Sequence, residues 1–248
     1  MKLNCDMGES FGAWHLGNDT QIMPYIDMSN IACGFHASDP QVMAQTIKLA
    51  QQHDVAIGAH PGYPDLQGFG RKAMLFTFDE LVNIVVYQVG ALQALCAANN
   101  VSVSYVKPHG ALYNTMMTDS EVYRAVLTAV ASISPTTPLM IMATDEASTQ
   151  YQQYTMLAQT MCVPLLFEAF CDRAYTDEGL LQSRKIDGAV YDDVERIVSQ
   201  AEQLIAQQSV TSCTGKKLKV KADSLCIHGD GALALPSVKR IREILAAL

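Results

Sequence analysis

Most features that mark a nucleic-acid-binding, membrane or secreted protein are missing from this chain of 248 residues. No basic run is longer than Lys216-Lys217. The formal net charge is −8 and the pI is near 5.1, so neither nucleic acid nor an anionic membrane is expected as the main partner. No apolar run comes near the roughly 20 residues that a membrane span requires. The start, Met1-Lys-Leu-Asn-Cys-Asp6, lacks the apolar segment of a secretory signal, and Leu3 with Cys5 would make a lipobox only behind a longer leader. The seven cysteines are odd in number and form no C-x-x-C pair. The nearest two, Cys162 and Cys171, do not have zinc-ribbon spacing. They read as reduced thiols of a cytoplasmic protein.

Nucleotide signatures are also missing in usable form. Gly68-Phe-Gly-Arg-Lys-Ala73 matches G-x-G-x-x-A, but its preceding strand ends too early and no acidic ribose partner follows on a second strand. Gly215-Lys216-Lys217 is followed by no Ser or Thr and falls in an expected hairpin, so it is not a phosphate loop. No linker or low-complexity segment divides the chain. Residues 1–248 are expected to form a single β/α-barrel domain, and 49% hydrophobic residues suffice for its core.

What the chain does have is a strand that ends in chemistry, repeated. The apolar run Val101–Val106 leads into Lys107-Pro-His-Gly110, where proline stops the ladder and glycine permits a sharp turn. Similar junctions follow Lys2–Asp6, Ser29–His36, Val55–Ala59, Leu139–Met142, Val163–Phe167 and Ser224–Ile227. Between them lie helical patterns: Asp19–Met28; a helix capped by Asp39 with Pro40 at its first position; a helix from a Thr77–Glu80 capping box to about Ala98; one from a second box, Thr118–Glu121; Asp192–Gln208; and Pro236–Leu248. Such alternation predicts a parallel α/β fold.

In that fold the carboxyl ends of all strands lie on one face. Asp6 and Glu9, His36, His60, Lys107 and His109, Glu168 with Asp172 and Arg173, and His228 with Asp230 are therefore expected to converge on one cavity. One strand-end histidine is most often a hydrogen-bonded structural residue. Six such junctions on one face point to a site. His15 and His53 lie away from strand ends and keep the structural reading, Cys33 reads as a packed thiol, and Met116 and Met117 as core.

Asn4–Gly12, Asn30–Ala37, Gly58–Asp65 with Gly68–Arg71, and Val106–Asn114 closely resemble the LamB/YcsF family, as do Phe170–Gly179 and His228-Gly-Asp230. The resemblance runs from the first strand to the last helix, although the stretch after Asp230 is shorter than in relatives. It implies an irregular (β/α) barrel similar to that of glycoside hydrolases and polysaccharide deacetylases. It also implies cleavage of 5-oxo-L-proline to L-glutamate coupled to ATP hydrolysis, with two partner subunits, B and C.

Opening a lactam requires proton transfer, stabilisation of a developing oxyanion and an anchor for the substrate carboxylate. Asp6, His36, His60, Lys107, His109 and Glu168 are the candidate catalytic groups, with Lys107 facing the oxyanion. Glu9, Arg71, Asp172, Arg173, His228 and Asp230 are the candidate substrate-binding groups, Arg71 or Arg173 taking the carboxylate. Lys107 is expected to stay charged, its carboxylate neighbours outweighing burial, and Lys107→Met is expected to spare the fold. No cofactor is expected to be intrinsic. ATP is read as a co-substrate of the complex, handled outside this chain. Two rival readings stand beside this one. A stand-alone metal-dependent amidase or deacetylase would hold a divalent metal with Asp6, His36 and His60. A non-catalytic component would only present substrate to its partners.

Overall fold

Nearly every residue of the main strands is buried, on both faces, which an antiparallel sheet with one wet face would not allow. The structure, a computed structural model, describes residues 1–247. In chain order its elements are β1 (Lys2–Met7), α1 (Asp19–Ile22), β2 (Met28–Ala32), α2 (Pro40–Gln52), β3 (Ala56–His60), α3 (Phe78–Ala98), β4 (Val103–Val106), α4 (Gly110–Met116), α5 (Ser120–Ile133), β5 (Leu139–Met142), α6 (Thr149–Thr160), β6 (Leu165–Phe170), α7 (Val194–Gln207), β7 (Ser209–Thr211), β8 (Lys217–Lys219), β9 (Ser224–Ile227) and α8 (Ala234–Ala246). β1 to β6 and β9 close into a seven-stranded parallel barrel in which β9 lies between β6 and β1. β7 and β8 form a separate antiparallel hairpin.

The period of two sorts each strand's side chains. Outward residues such as Leu3, Ile31, Ile57, Val106, Ile141 and Leu225 join the helices' apolar faces, among them Val85, Leu92, Val126, Leu204 and Ile241, in the main core. Each such side chain, fully buried, contributes about 1.5–3 kcal/mol. Inside the barrel, Met28, Tyr105 and Met140 make an apolar floor. Gly58 makes room for it: a Cβ there would lie 2.2 Å from the Tyr105 ring.

Several elements differ from the sequence expectation. The helix expected over Asp19–Met28 ends at Ile22, gives one 3-10 turn at Met23–Tyr25 around Pro24, and yields to β2 at Met28. Met23, just before Pro24, keeps helical angles, and the chain becomes extended only at Ile26. The second capping box is not used: Asp119 caps α5 by accepting from the Glu121 and Val122 amides, while Thr118 bonds back to the Asn114 carbonyl. β6 runs to Phe170 because its ladder with β9 continues from Glu168 to Phe170, so Glu168 lies within the strand and not at its exit. α3, at 21 residues, is long and apolar enough by length and composition to cross a membrane, contrary to the sequence reading. Its Leu81, Val85, Val89, Leu92 and Cys96 pack in the main core.

Candidate active site

Above the apolar floor the barrel interior turns polar. β1 directs Asn4 and Asp6 inward, β2 Asn30, β6 Glu168 and β9 Cys226, while Lys107 follows β4 directly. Lys107 Nζ lies 3.0 Å from an Asp6 oxygen, 3.0 Å from a Glu168 oxygen, 3.3 Å from Asn4 Oδ1 and 3.1 Å from Cys226 Sγ. Asn30 donates to both Asp6 (2.8 Å) and Asn4 (2.9 Å), and accepts from the Tyr105 hydroxyl at 2.6 Å. Asn4 donates to Ser224 (2.6 Å) and Glu168 (3.3 Å).

The ammonium, 2% exposed, is thus held by groups from three other strands. Burial alone would pull its pKa down, but Asp6, the Cys226 sulfur and Glu168 hold it well above the ordinary lysine value. Burial would likewise raise Asp6, yet His60 and Lys107 hold it well below the usual carboxylate range. Lys107 therefore stays charged, as expected from its neighbours.

Three imidazoles and a carboxylate flank this network. His60 Nδ1 lies 2.7 Å from the Lys107 carbonyl and so carries a proton, which in a neutral ring leaves Nε2 a lone pair. His109 Nε2 lies 2.9 Å from the Phe69 carbonyl and is protonated by the same logic, leaving Nδ1 bare. Those two bare nitrogens face each other at 2.9 Å. A second proton on either ring would settle the pair; on His109 it is opposed by burial, then by His36 and His60, which push that ring's pKa well below the ordinary value. His36 is fully buried, stacks on His109 at 3.7 Å and has no hydrogen-bond partner on either nitrogen among the described residues. Glu9 sits 3.8 Å from His109 Nδ1 and 4.0 Å from His36 Nε2, its pKa raised by burial, then by Asp6 and Asp230.

The ligand atoms of Glu9, His36, His60 and His109 all lie within 4.8 Å of one another. Ring nitrogens facing each other at 2.9 Å, second ring nitrogens bound to backbone carbonyls and an unpartnered buried imidazole are what a divalent cation would satisfy. This donor set could hold a metal. Of the set expected from the sequence, His36 and His60 belong to it. Asp6 does not: one oxygen is committed to Lys107 and Asn30, and the other is 3.4 Å from His60 Nε2.

A cavity of about 450 Å³ opens over these groups. Asp6, His60, Lys107, His109 and His228 line it, together with Arg71 and the buried Arg173. His36 and Glu168, expected in the lining, lie wholly buried behind it, His36 under His109 and Glu168 under Lys107. Asp172 and Asp230 reach the cavity through partners: Asp172 accepts from His228 at 2.8 Å, and Asp230 pairs with Arg71 at 2.9 Å. Burial would raise Asp172, but the His228 contacts outweigh it and hold its carboxyl below the ordinary value. Arg173 is spent on the backbone, donating to the Ala189 and Gln182 carbonyls, which weakens its case as a substrate anchor. Burial, then Arg184, pushes its pKa down to about 10.

The sequence reading missed Asn4, Asn30, Cys226 and Arg184. The first three occupy inward positions of strands, and the alternation that places Asn4 on one face with Asp6 is signal enough. Cys33 and Met116 are core, as read, burial pushing the Cys33 thiol up to about 12. Met117 is buried and also borders the cavity.

The model of the LamB/YcsF family matches residues 1–248. The 5-oxoprolinase A subunit of Vibrio campbellii is 52% identical over 245 residues, covering 99% of this chain and 95% of the relative. That of Pseudomonas fluorescens is 50% identical over 243 residues, with 98% and 96% covered. Among solved structures, a lactam utilization protein from Thermus thermophilus superposes with a TM-score of 0.89 at 37% identity, covering 100% of this chain and 96% of that one. A GH113 β-1,4-mannanase, at TM-score 0.54 and 8% identity, covers 100% of this chain and 98% of its own and shares the barrel alone.

Proposed function

Since the chain belongs to the LamB/YcsF family, we propose that it opens the lactam ring of 5-oxo-L-proline to give L-glutamate, as the A component of an ATP-coupled 5-oxoprolinase with B and C subunits. The names borne by relatives at about 50% identity support this reading. The observation that carries it is the buried Lys107 ammonium, held 3.0 Å from both Asp6 and Glu168 and exposed to a cavity only on one side.

In this reading the lactam carbonyl lies over Lys107, whose fixed charge meets the oxygen as it becomes anionic. Such preorganised charge, inside a site that excludes water, lowers the barrier without reorganisation during the reaction. Asp6 and His60 form a carboxylate–imidazole pair on the same wall, placed to move a proton between attacking water and the departing ring nitrogen. Glu168 sits behind and keeps Lys107 in place. Phosphate chemistry falls to the partner subunits, in keeping with the missing phosphate loop.

The Glu9–His36–His60–His109 cluster supports a second element of the proposal, a bound divalent cation; with His60 Nε2 on that cation, proton transfer would fall to Asp6 alone. When bound, it would polarise the lactam carbonyl or acidify a water. Metal analysis of protein purified without chelators tests it: a stoichiometric ion lost in Glu9→Gln and His36→Ala supports the site, and metal-free protein removes it.

The decisive experiment for the function mixes the chain with B and C and follows glutamate release and phosphate release from 5-oxo-L-proline and ATP. Both should require all three components. Robust hydrolysis by this chain alone would favour the stand-alone amidase. Full activity of Lys107→Met and Asp6→Asn complexes would favour a chain that only presents substrate.

A further inference from the structure

Three arginines line the cavity, Arg71, Arg173 and Arg184. Arg71 is neutralised by Asp230 at 2.9 Å. Arg173 serves as a fastener. It stands just beyond β6, where the chain leaves the barrel, lines the cavity with residues 180–185 and returns beside its starting point. Arg173 Nε donates to the Ala189 carbonyl (3.1 Å) and Nη2 to the Gln182 carbonyl (2.7 Å). Backbone bridges pair Arg173 with Val190 and Tyr175 with Leu181, closing the same strap at its base. The segment pinned in this way, residues 180–185, lines the cavity.

Arg184 sits on that segment. Of the three guanidiniums it is the one that makes no ion pair and no hydrogen bond among the described residues. It is partly buried, and burial first, then Arg71, outweigh the pull of Asp172, Asp230 and Asp6 and push its pKa below the ordinary arginine value. The acidic groups nearby are already committed, Asp230 to Arg71, Asp172 to His228 and Asp6 to Lys107. A fastened strap therefore carries an unmatched cation to the mouth of a cavity whose floor holds the candidate oxyanion group.

We propose that Arg184 is the receptor for the carboxylate of the lactam substrate, with Arg173 as the residue that positions it. The assignment rests on the lactam-opening function proposed above. It gives the substrate two anchors, the ring carbonyl at Lys107 and the carboxylate at Arg184. It also gives the site a means of distinguishing 5-oxo-L-proline from 2-pyrrolidinone, the same ring without the carboxylate.

The test uses Arg184→Gln in the complex with B and C. A charge-assisted hydrogen bond lost from substrate binding predicts a roughly ten- to hundred-fold fall in kcat/KM for 5-oxo-L-proline, carried by KM. The KM for ATP and the melting temperature should not move, and Arg184→Lys should recover part of the loss. Titrations of the isolated chain followed by NMR should show weaker 5-oxo-L-proline binding in Arg184→Gln and equal 2-pyrrolidinone binding in both proteins. An unchanged KM for 5-oxo-L-proline overturns the assignment. A shift in the KM for ATP alone overturns it in favour of a phosphoryl ligand, and a drop in melting temperature that accounts for the lost activity shows a structural residue. If the wild-type complex releases no glutamate, the underlying function fails, an outcome distinct from an active complex indifferent to Arg184.

Discussion

At the scale of residues, Lys107 is the position where structure changes an expectation most. A lysine at a strand exit suggests a substitution that spares the fold, yet this one is buried between two carboxylates. Removing one partner of a buried pair costs about 3–5 kcal/mol. Lys107→Met should therefore lower the denaturation midpoint markedly, and, per folded molecule, lower turnover of the complex about 100- to 1,000-fold. A variant as stable as the parent would contradict the burial described above. The Asp172–His228 pair makes a second prediction. Asp172 is depressed when folded, so its contribution is fully present above the unfolded carboxylate value of about 3.9 and is lost as pH falls through the lower folded value. Asp172→Asn should be about 1.5–3 kcal/mol less stable at neutral pH, with the two stability curves converging in acid. Parallel curves down to the acid limit of folding would refute it. The candidate site was legible where a strand end announced it, as at His60, Lys107 and His228. Stacking of His36 under His109 joins loops distant in sequence, and Arg184 lies on a strap with no periodic signal, so neither relation could be read from spacing.

At the scale of elements, alternation and caps carried most of the information. Asp39 before Pro40 and the Thr77–Glu80 box both cap as their chemistry dictates, because those interactions are local. Boundaries set by neighbours were not legible. β6 continues through Glu168 because β9 pairs with it, and that partner strand comes much later in the chain. Gly58 shows the same dependence on a distant contact. Nothing in its strand marks it, but the Tyr105 ring occupies the place of a side chain. Gly58→Ala should cost about 1–3 kcal/mol through overpacking, measured by chemical denaturation. An unchanged midpoint would mean that the ring has room to move.

At the scale of the whole molecule, an acidic chain of net charge −8 gathers Arg71, Arg173, Arg184 and Lys185 around one opening. Fields of that kind concentrate anions, and salt screens them over about 30 Å at 0.01 M but about 3 Å at 1 M. The KM for 5-oxo-L-proline should therefore rise about two- to five-fold across that range, with little change in kcat, and a salt-independent KM would count against the opening as an anion collector. The bonding of Lys107 has a different consequence, for how such a protein can change over generations. Its ammonium joins residues of β1, β6 and β9 to the end of β4, so the group proposed for chemistry is also a cross-tie of the barrel. A lineage relieved of the activity could not shed this lysine first and keep a sound fold. Decay would start at Arg184, where a substitution costs recognition alone, and the buried charges would be the last part of the site to disappear.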